Sequence, residues 1–407
     1  MEGKIKLNIV LNHNPFFSNS ANANRILSLI NGLVNKKVDI HLIFTKGYQN
    51  TQEKLEFGKN GENNGVSYTY LSNNLLDNIW KARWHIYIGN RLFSFINKYK
   101  IFRELQHSNG IVWAENEIEI LKAVLYAKTQ NLNLKLFIEL SEFPDIHLFN
   151  KGNRFQKKIA NKRQYFFESM FFGKLNGMAL MTKTLMKHYS TFPNPKPKLL
   201  HLPMTVDLER FNKVIPILEK FEQPYLAFVG VMDNAKDGVN ILIQAFAKIA
   251  AKFPAYKLYL VGSWNYDTPS HLELIKSLNL EGKVKWMGEY KRDQIPAIIL
   301  NASLLALPRP DSKQAQGGFP TKLGEYLATG VPVCATTVGE IPDYLTDNES
   351  VFFAEPGSVD SFANAMERAL SNPEFSQIVG LAGRNTAEIY FNKDIQAEKL
   401  YEFLQTL

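Results

Sequence analysis

The sequence contains a single cysteine, Cys334, which excludes an internal disulfide and any zinc site built on cysteine ligands. Long apolar runs are missing too, for nothing approaches the ~18 consecutive apolar residues of a membrane-spanning helix. The opening MEGKIKLNIVLNH lacks the apolar core and small-residue cleavage site of a secretory leader and reads as a β-strand. No low-complexity tract, internal repeat or recognised nucleic-acid-binding module occurs. These absences point to a folded protein of a reducing cytoplasm.

What is present suffices for two cores. A chain of 407 residues exceeds one ordinary core, so two domains of roughly 150–200 residues each are expected. The formal net charge of +8 favours anionic partners, whether phosphates of a small molecule, a phospholipid surface or nucleic acid. Short β-branched runs alternate with longer amphipathic segments, the pattern of βαβ units around parallel sheets. The first half offers strands at IKLNIVLN, DIHLIFT, GIVWAE and LKLFIEL. The second restarts with YLAFVGV, KLYLVGS, VKWMGEY, SLLALPR, PVCATT and VFFAE. Prolines in FPNPKPKLLHLPMTVDLERFN interrupt regular structure between the halves. The expected architecture is α/β, with two doubly wound Rossmann-like domains facing each other across a cleft. They span 1–205 and 206–385, and a helical segment, 386–407, packs back on the first. Ligands of such sheets bind at the carboxyl ends of the strands.

One stretch concentrates chemistry there. In LPRPDSKQAQGGFPTKLGEYLATGVPV a strand runs through a polar loop into a helix closed by Gly330. Gly317 and Gly318 are expected to bring backbone close to a ligand, and Phe319 and Pro320 to set the helix entry. The first-turn amides of Thr321, Lys322 and Leu323, with the positive end of the helix dipole, make an anion site suited to a diphosphate. Glu325, a turn further on, suits vicinal sugar hydroxyls instead; the alternative is an ordinary capped helix with a solvated glutamate. Earlier, YLAFVGVMDNAKDGVNILIQAF sets Gly230 at a strand end and Lys236 before a helix, either reaching the same anion or merely solvated.

Five ordered blocks over most of residues 225–385 resemble the nucleotide-binding domain of retaining glycosyltransferases of the GT-B fold, glycosyltransferase family 4 (glycosyl transferases group 1). They are FVGVMDNAKDGVNILIQAF, KLYLVGSW, VKWMGEY, SLLALPR, and FPTKLGEYLATGVPV with VGEIPDYL after it. The resemblance implies that Lys236 contacts a donor diphosphate, that Glu325 binds the nucleotide ribose, and that Gly230, Gly318, Pro320, Thr321, Lys322 and Leu323 surround the phosphates. It places the base near Gly288 and Tyr290. Two positions depart from the family pattern. Val231 stands where the family has an arginine on the diphosphate, leaving Arg309 or Lys313 to supply the charge. Gly317 stands where the first glutamate of the Glu-x7-Glu signature falls.

The first half matches more loosely. In NIVLNHNPFFSNSANANRILSLINGLV small residues replace the family's glycine pair, and Arg25 is expected either to approach the phosphates or to be a surface arginine. LKLFIELSEFPDIHLF places Glu139 and Glu142 at a strand end, as candidates for binding the acceptor hydroxyl or taking its proton; a helix cap at Ser141 is the alternative. DNIWKARWHIYIGNRLFSFINKYKIFREL sets Trp80, Trp84, Phe93 and Phe95 beside Lys81, Arg83, Arg91 and Lys98. KGNRFQKKIANKRQYFF adds a second basic stretch. Both suit an anionic membrane surface, or a buried aromatic face with a solvated basic one.

The resemblance therefore implies sugar transfer from a nucleoside-diphosphate sugar to a saccharide or lipid-linked hydroxyl in glycan assembly, with neither metal nor further cofactor. It also allows peripheral association with the inner membrane face. A sugar-nucleotide 2-epimerase of the same architecture, or a degenerate binding subunit, is the alternative.

Overall fold

The computed structural model describes residues 4–18, 20–75, 90–106, 108, 110–146, 152–193, 195–213 and 215–407. The chain divides into two compact units, Met1–Leu202 with Gln396–Leu407, and Pro203–Ile395. The return to the first unit therefore begins at Gln396, not at 386. Helix Pro373–Tyr390 stays in the second unit, where a side chain at Gly380 would strike the Gly330 carbonyl at 2.2 Å.

The first unit holds an eight-stranded sheet. Its strands are β1 (Ile5–Leu11), β2 (Val38–Phe44), β3 (Asn60–Asn63), β4 (Val66–Tyr70), β5 (Ile111–Ala114), β6 (Lys135–Leu140), β7 (Gly177–Leu180) and β8 (Lys198–His201), in the order β3-β4-β2-β1-β5-β6-β7-β8. All neighbours pair in parallel except β3 with β4. That hairpin turns on Asn64 and Gly65, both at positive φ (52° and 76°), the two-residue geometry that Asn-Gly favours. Strand period two divides the apolar residues of β1 between two cores: Leu7, Ile9 and Leu11 join one, and Val10 the other. The closing helix Lys393–Gln405 contributes Ala397, Leu400 and Leu404 to the first of these.

The second unit is built on β9 (Tyr225–Val229), β10 (Lys257–Val261), β11 (Val284–Gly288), β12 (Leu304–Leu307), β13 (Val333–Thr336) and β14 (Phe352–Ala354). All six are parallel, in the order β11-β10-β9-β12-β13-β14. Helices on both faces require strands that are apolar throughout, and β12 and β13 are buried at every residue. Helix Val239–Ile249 covers one face with Val239, Leu242, Ile243, Phe246 and Ile249. In each sheet the strand order reverses beside the unit's first strand, between β1 and β5 and between β9 and β12. The loops leaving those strands open the crevice where ligands of this architecture bind.

Candidate active site

At the switch point of the second sheet, Gly230 follows β9 directly, and its N–H donates to the Val261 carbonyl at 2.8 Å. Asp233 then caps the short helix Asn234–Asp237, accepting from the Lys236 N–H at 2.9 Å. Gly238 ends it at φ +68°, and a side chain there would meet the Pro308 carbonyl at 2.1 Å. That close approach presses the loop after β9 onto the loop after β12, where Arg309 is buried.

Helix Thr321–Ala328 starts against these loops. Lys322 turns its ammonium to Asp237, 2.7 Å away and buried, and lies 4.7 Å from the Phe228 ring centroid. Gly230 makes room for it, since a Cβ there would sit 2.3 Å from Lys322 Nζ. Burial pulls the Lys322 pKa down; Asp237 opposes this, while Lys236 and Arg309 add to it by charge repulsion. Lys322 and Asp237 thus pair at the helix start, with Lys236 exposed on the adjoining short helix and Arg309 buried in the loop after β12. The Tyr326 hydroxyl, accepting from the Val229 N–H at 2.7 Å, pins the helix to the end of β9.

Glu325 is partly exposed one turn along. Its Oε1 accepts from Arg210 Nη1 at 2.6 Å, and Arg210 Nη2 donates to the Arg292 carbonyl at 3.0 Å. Gly288 closes β11 at φ +79° with open space before it, and Tyr290 sets its ring against Phe221 at 5.7 Å. Burial raises the Tyr290 pKa.

Several expectations need correction. The Leu323 amide is not available to an anion, because it donates to the Pro320 carbonyl at 3.0 Å; its side chain is fully buried, which leaves Thr321 and Lys322. Neither Gly317 nor Gly318 occupies the left-handed backbone region that demands glycine. Gly317 ends a short helix, Lys313–Gly317, and Gly318 is extended at φ −128°, ψ 157°, a conformation open to any residue. Phe319 packs between Tyr344 and Phe391, at 5.7 and 5.2 Å, and so fixes the entry to the next helix. Of the two proposed stand-ins for the missing arginine, Arg309 is buried in the loop pressed against the one after β9, whereas Lys313 is exposed on the short helix.

In the first unit Arg25 is neither on the surface nor free to meet phosphate. It is buried, with Nε on Glu139 Oε1 at 2.7 Å and Nη2 on the Leu202 carbonyl at 2.7 Å. Glu139 is equally buried and therefore committed to Arg25, so it is not positioned to take a proton. Glu142 lies in the turn after β6, and no helix starts at Ser141.

A carboxylate passed over in the sequence occupies this unit's switch point instead. Glu115 follows β5 directly, accepting from the Asn12 N–H at 2.6 Å and from Asn22 Nδ2 at 3.3 Å. Burial raises its pKa, helped by Glu117 and opposed by the Asn12 N–H and Lys46. His13 and Lys46 face each other nearby, Nε2 to Nζ at 3.5 Å. The available signal was position: in GIVWAENEIEI, Glu115 is the first residue beyond the strand that neighbours β1.

Residues 211–386 match the family model described as Glycosyl transferases group 1. The match falls within the second unit, which is therefore similar to that family. Over 236 residues the chain is 28% identical to the GDP-mannose-dependent monoacylated alpha-(1-6)-phosphatidylinositol monomannoside mannosyltransferase of Corynebacterium glutamicum, covering 55% of this chain and 60% of that one. Sucrose-phosphate synthase from Thermosynechococcus elongatus superposes with a TM-score of 0.77 at 14% identity, covering 99% and 98% of the two chains. Anabaena Alr3699/HepE in complex with UDP-glucose gives a TM-score of 0.70 at 15% identity, covering 99% and 100%. At these identities the likeness is one of fold, and it places both units in the GT-B class of paired Rossmann-like domains.

Proposed function

We propose that this protein moves a sugar from a nucleoside-diphosphate sugar to a hydroxyl of a saccharide or lipid-linked acceptor. The observation that carries this reading is the meeting of the loops that carry Lys236 and Arg309 beside Lys322 at the start of helix Thr321–Ala328, with Glu325 one turn further on. Cations and helix-start amides suit the charge that develops on a departing nucleoside diphosphate, and a carboxylate at that offset suits ribose hydroxyls. The protein's own cations perform the charge neutralisation that a bound metal performs elsewhere, so transfer is metal-independent. It proceeds with retention, the leaving phosphate assisting deprotonation of the acceptor. The names of the Corynebacterium relative and of the Anabaena complex, one GDP-mannose-dependent and the other holding UDP-glucose, support a nucleotide-sugar donor.

The test is a thermal-shift and turnover screen with UDP-glucose and GDP-mannose. A ligand at 100 times its Kd adds about 2.7 kcal/mol of stability. Glu325→Ala is expected to lower donor turnover at least tenfold, about 1.4 kcal/mol in the transition state. Unchanged turnover in that variant, or interconversion of the sugar nucleotide with no acceptor present, would overturn the reading.

The acceptor is presented at an anionic membrane surface, on the cytoplasmic side. Among the described residues no helix is long and apolar enough to cross a membrane. Helix Arg154–Phe166, RFQKKIANKRQYF, holds five basic residues and no acidic one. At helical spacing Arg154, Phe155, Lys158, Lys162 and Tyr165 share one side, with Phe155 71% and Tyr165 68% exposed. Of the other basic stretch, Trp80, Lys81, Arg83 and Trp84 lie outside the described residues, as do the side chains of Arg91, Phe93 and Phe95. Lys98 is described, its Nζ 4.0 Å from the Tyr126 ring centroid.

Each Lys or Arg near an anionic surface contributes about 1 kcal/mol. Charge reversal at Arg154, Lys158 and Lys162 together should therefore weaken binding to phosphatidylglycerol vesicles at least ~100-fold. Equal sedimentation of wild type and variant with those vesicles would remove the helix from the interface.

A further inference from the structure

We infer that Arg210 is a positioning residue that holds Glu325 in its ribose-binding pose and ties that carboxylate to the segment facing the base. The inference builds on the nucleoside-diphosphate reading of this unit. Arg210 lies in the short helix Leu208–Phe211, far in sequence from both of its partners. One of its nitrogens holds Glu325 Oε1 at 2.6 Å, and the other donates to the Arg292 carbonyl at 3.0 Å. Arg292 follows Gly288 and Tyr290, so a single planar guanidinium spans the ribose anchor and the base-side loop. The fork geometry that allows this belongs to arginine and not to lysine.

The neighbours of Arg210 leave it to this task. Asp207 and Glu209, its acidic neighbours in sequence, are taken by Lys393 at 2.8 and 3.2 Å. Arg292 Nε is buried without a hydrogen-bond partner among the described residues. Burial lowers the Arg292 pKa, Arg210 lowers it further, and Glu325 and Asp207 oppose this. Glu325, hydrogen-bonded to Arg210, is thus a counter-charge beside the two arginines. It retains 27% side-chain exposure, and a carboxylate with one oxygen on Arg210 keeps lone pairs for vicinal hydroxyls. The rotamer that offers them is the one Arg210 fixes.

The experiment measures binding of UDP and GDP against their 2′-deoxy counterparts by calorimetry, in wild type, Arg210→Ala, Arg210→Lys and Glu325→Gln. A hydrogen bond to a charged group is worth about 1.5–3 kcal/mol, so the wild type should prefer its ribonucleotide at least ~10-fold over the deoxy form. Arg210→Ala should lower that ratio to about 2 or less, with affinity for the deoxy form held within about twofold. Arg210→Lys, able to reach one partner at a time, should fall between. A merely structural role would weaken both ligands alike and leave the ratio intact, which would overturn the inference. So would tighter ribonucleotide binding by Arg210→Ala, the sign of a latch that binding must break. Should Arg210→Ala fail to fold, the ratio in Arg210→Lys decides. If the wild type binds neither nucleoside diphosphate, the functional reading falls and takes this one with it. If it binds them and the ratio ignores Arg210, only the inference falls.

Discussion

Lys322→Met will destabilise the second unit by about 3 kcal/mol at neutral pH and abolish nucleotide binding, and adding Asp237→Asn will restore the first property but not the second. Removing one partner of a buried ion pair typically costs about 3–5 kcal/mol, because the other charge stays behind uncompensated. The low end applies because Lys322 keeps 18% side-chain exposure whereas Asp237 keeps 2%. For a unit of this size that is a drop in Tm of roughly 6–12 °C. Rescue by the second substitution identifies the cause, because Asp237→Asn removes the charge that Lys322→Met leaves buried and unpaired. The double variant removes the buried charge and should melt close to wild type at every pH. It still lacks the cation beside Gly230, so nucleoside diphosphates should give it no thermal shift. A double variant that binds them would show that Lys322 only balances Asp237, leaving Lys236 and Arg309 as the diphosphate cations.

Much of the second unit was legible in the sequence. All six strands lie where short apolar runs end in glycine, proline or polar residues, because strands of a parallel sheet with helices on both faces are largely apolar and stand out from their flanks. The helix carrying Glu325 was legible from Pro320 at its start and Gly330 at its end, the latter at φ +73°. What escaped were contacts between residues distant in sequence. Nothing near Lys322 announces Asp237, and nothing near Glu325 announces Arg210; the first pair exists because strand order brings the loops after β9 and β12 together, the second because the short helix Leu208–Phe211 packs on helix Thr321–Ala328. Arg25 shows the same limit. At a helix start it reads as a surface cation, yet the fold buries it on Glu139, and two candidate site residues become one structural pair. The hairpin at Asn64 and Gly65 was missed although its turn residues are plain, because β3, NGEN, is polar and exposed and shows no strand periodicity.

Glu115→Gln will make the first unit more stable at neutral pH and, under the sugar transfer proposed above, slow use of the acceptor, two effects of one carboxylate held at a strand end. Burial, the largest influence on Glu115, raises its pKa, and Glu117 adds to this. A carboxyl raised in the fold contributes nothing unfavourable below its unfolded pKa, about 4.3, and its ionisation costs stability as pH rises through the folded value. The amide carries no charge, so the variant should melt above wild type at pH 7 and together with it near pH 4. The oxygen of glutamine can still accept from the Asn12 N–H, so the loop after β1 should keep its place. What disappears is an anionic acceptor for a sugar hydroxyl beside Asn22, His13 and Lys46, worth about 1.5–3 kcal/mol, or roughly 10- to 150-fold in kcat/KM for the acceptor. Donor KM should not move, because the donor's cations belong to the other unit. The wild-type acceptor kcat/KM should climb as pH rises through the Glu115 titration, and the variant's profile should lose that limb. A variant that is more stable yet uses acceptor normally at every pH would mean that Glu115 only braces the loop after β1 through Asn12.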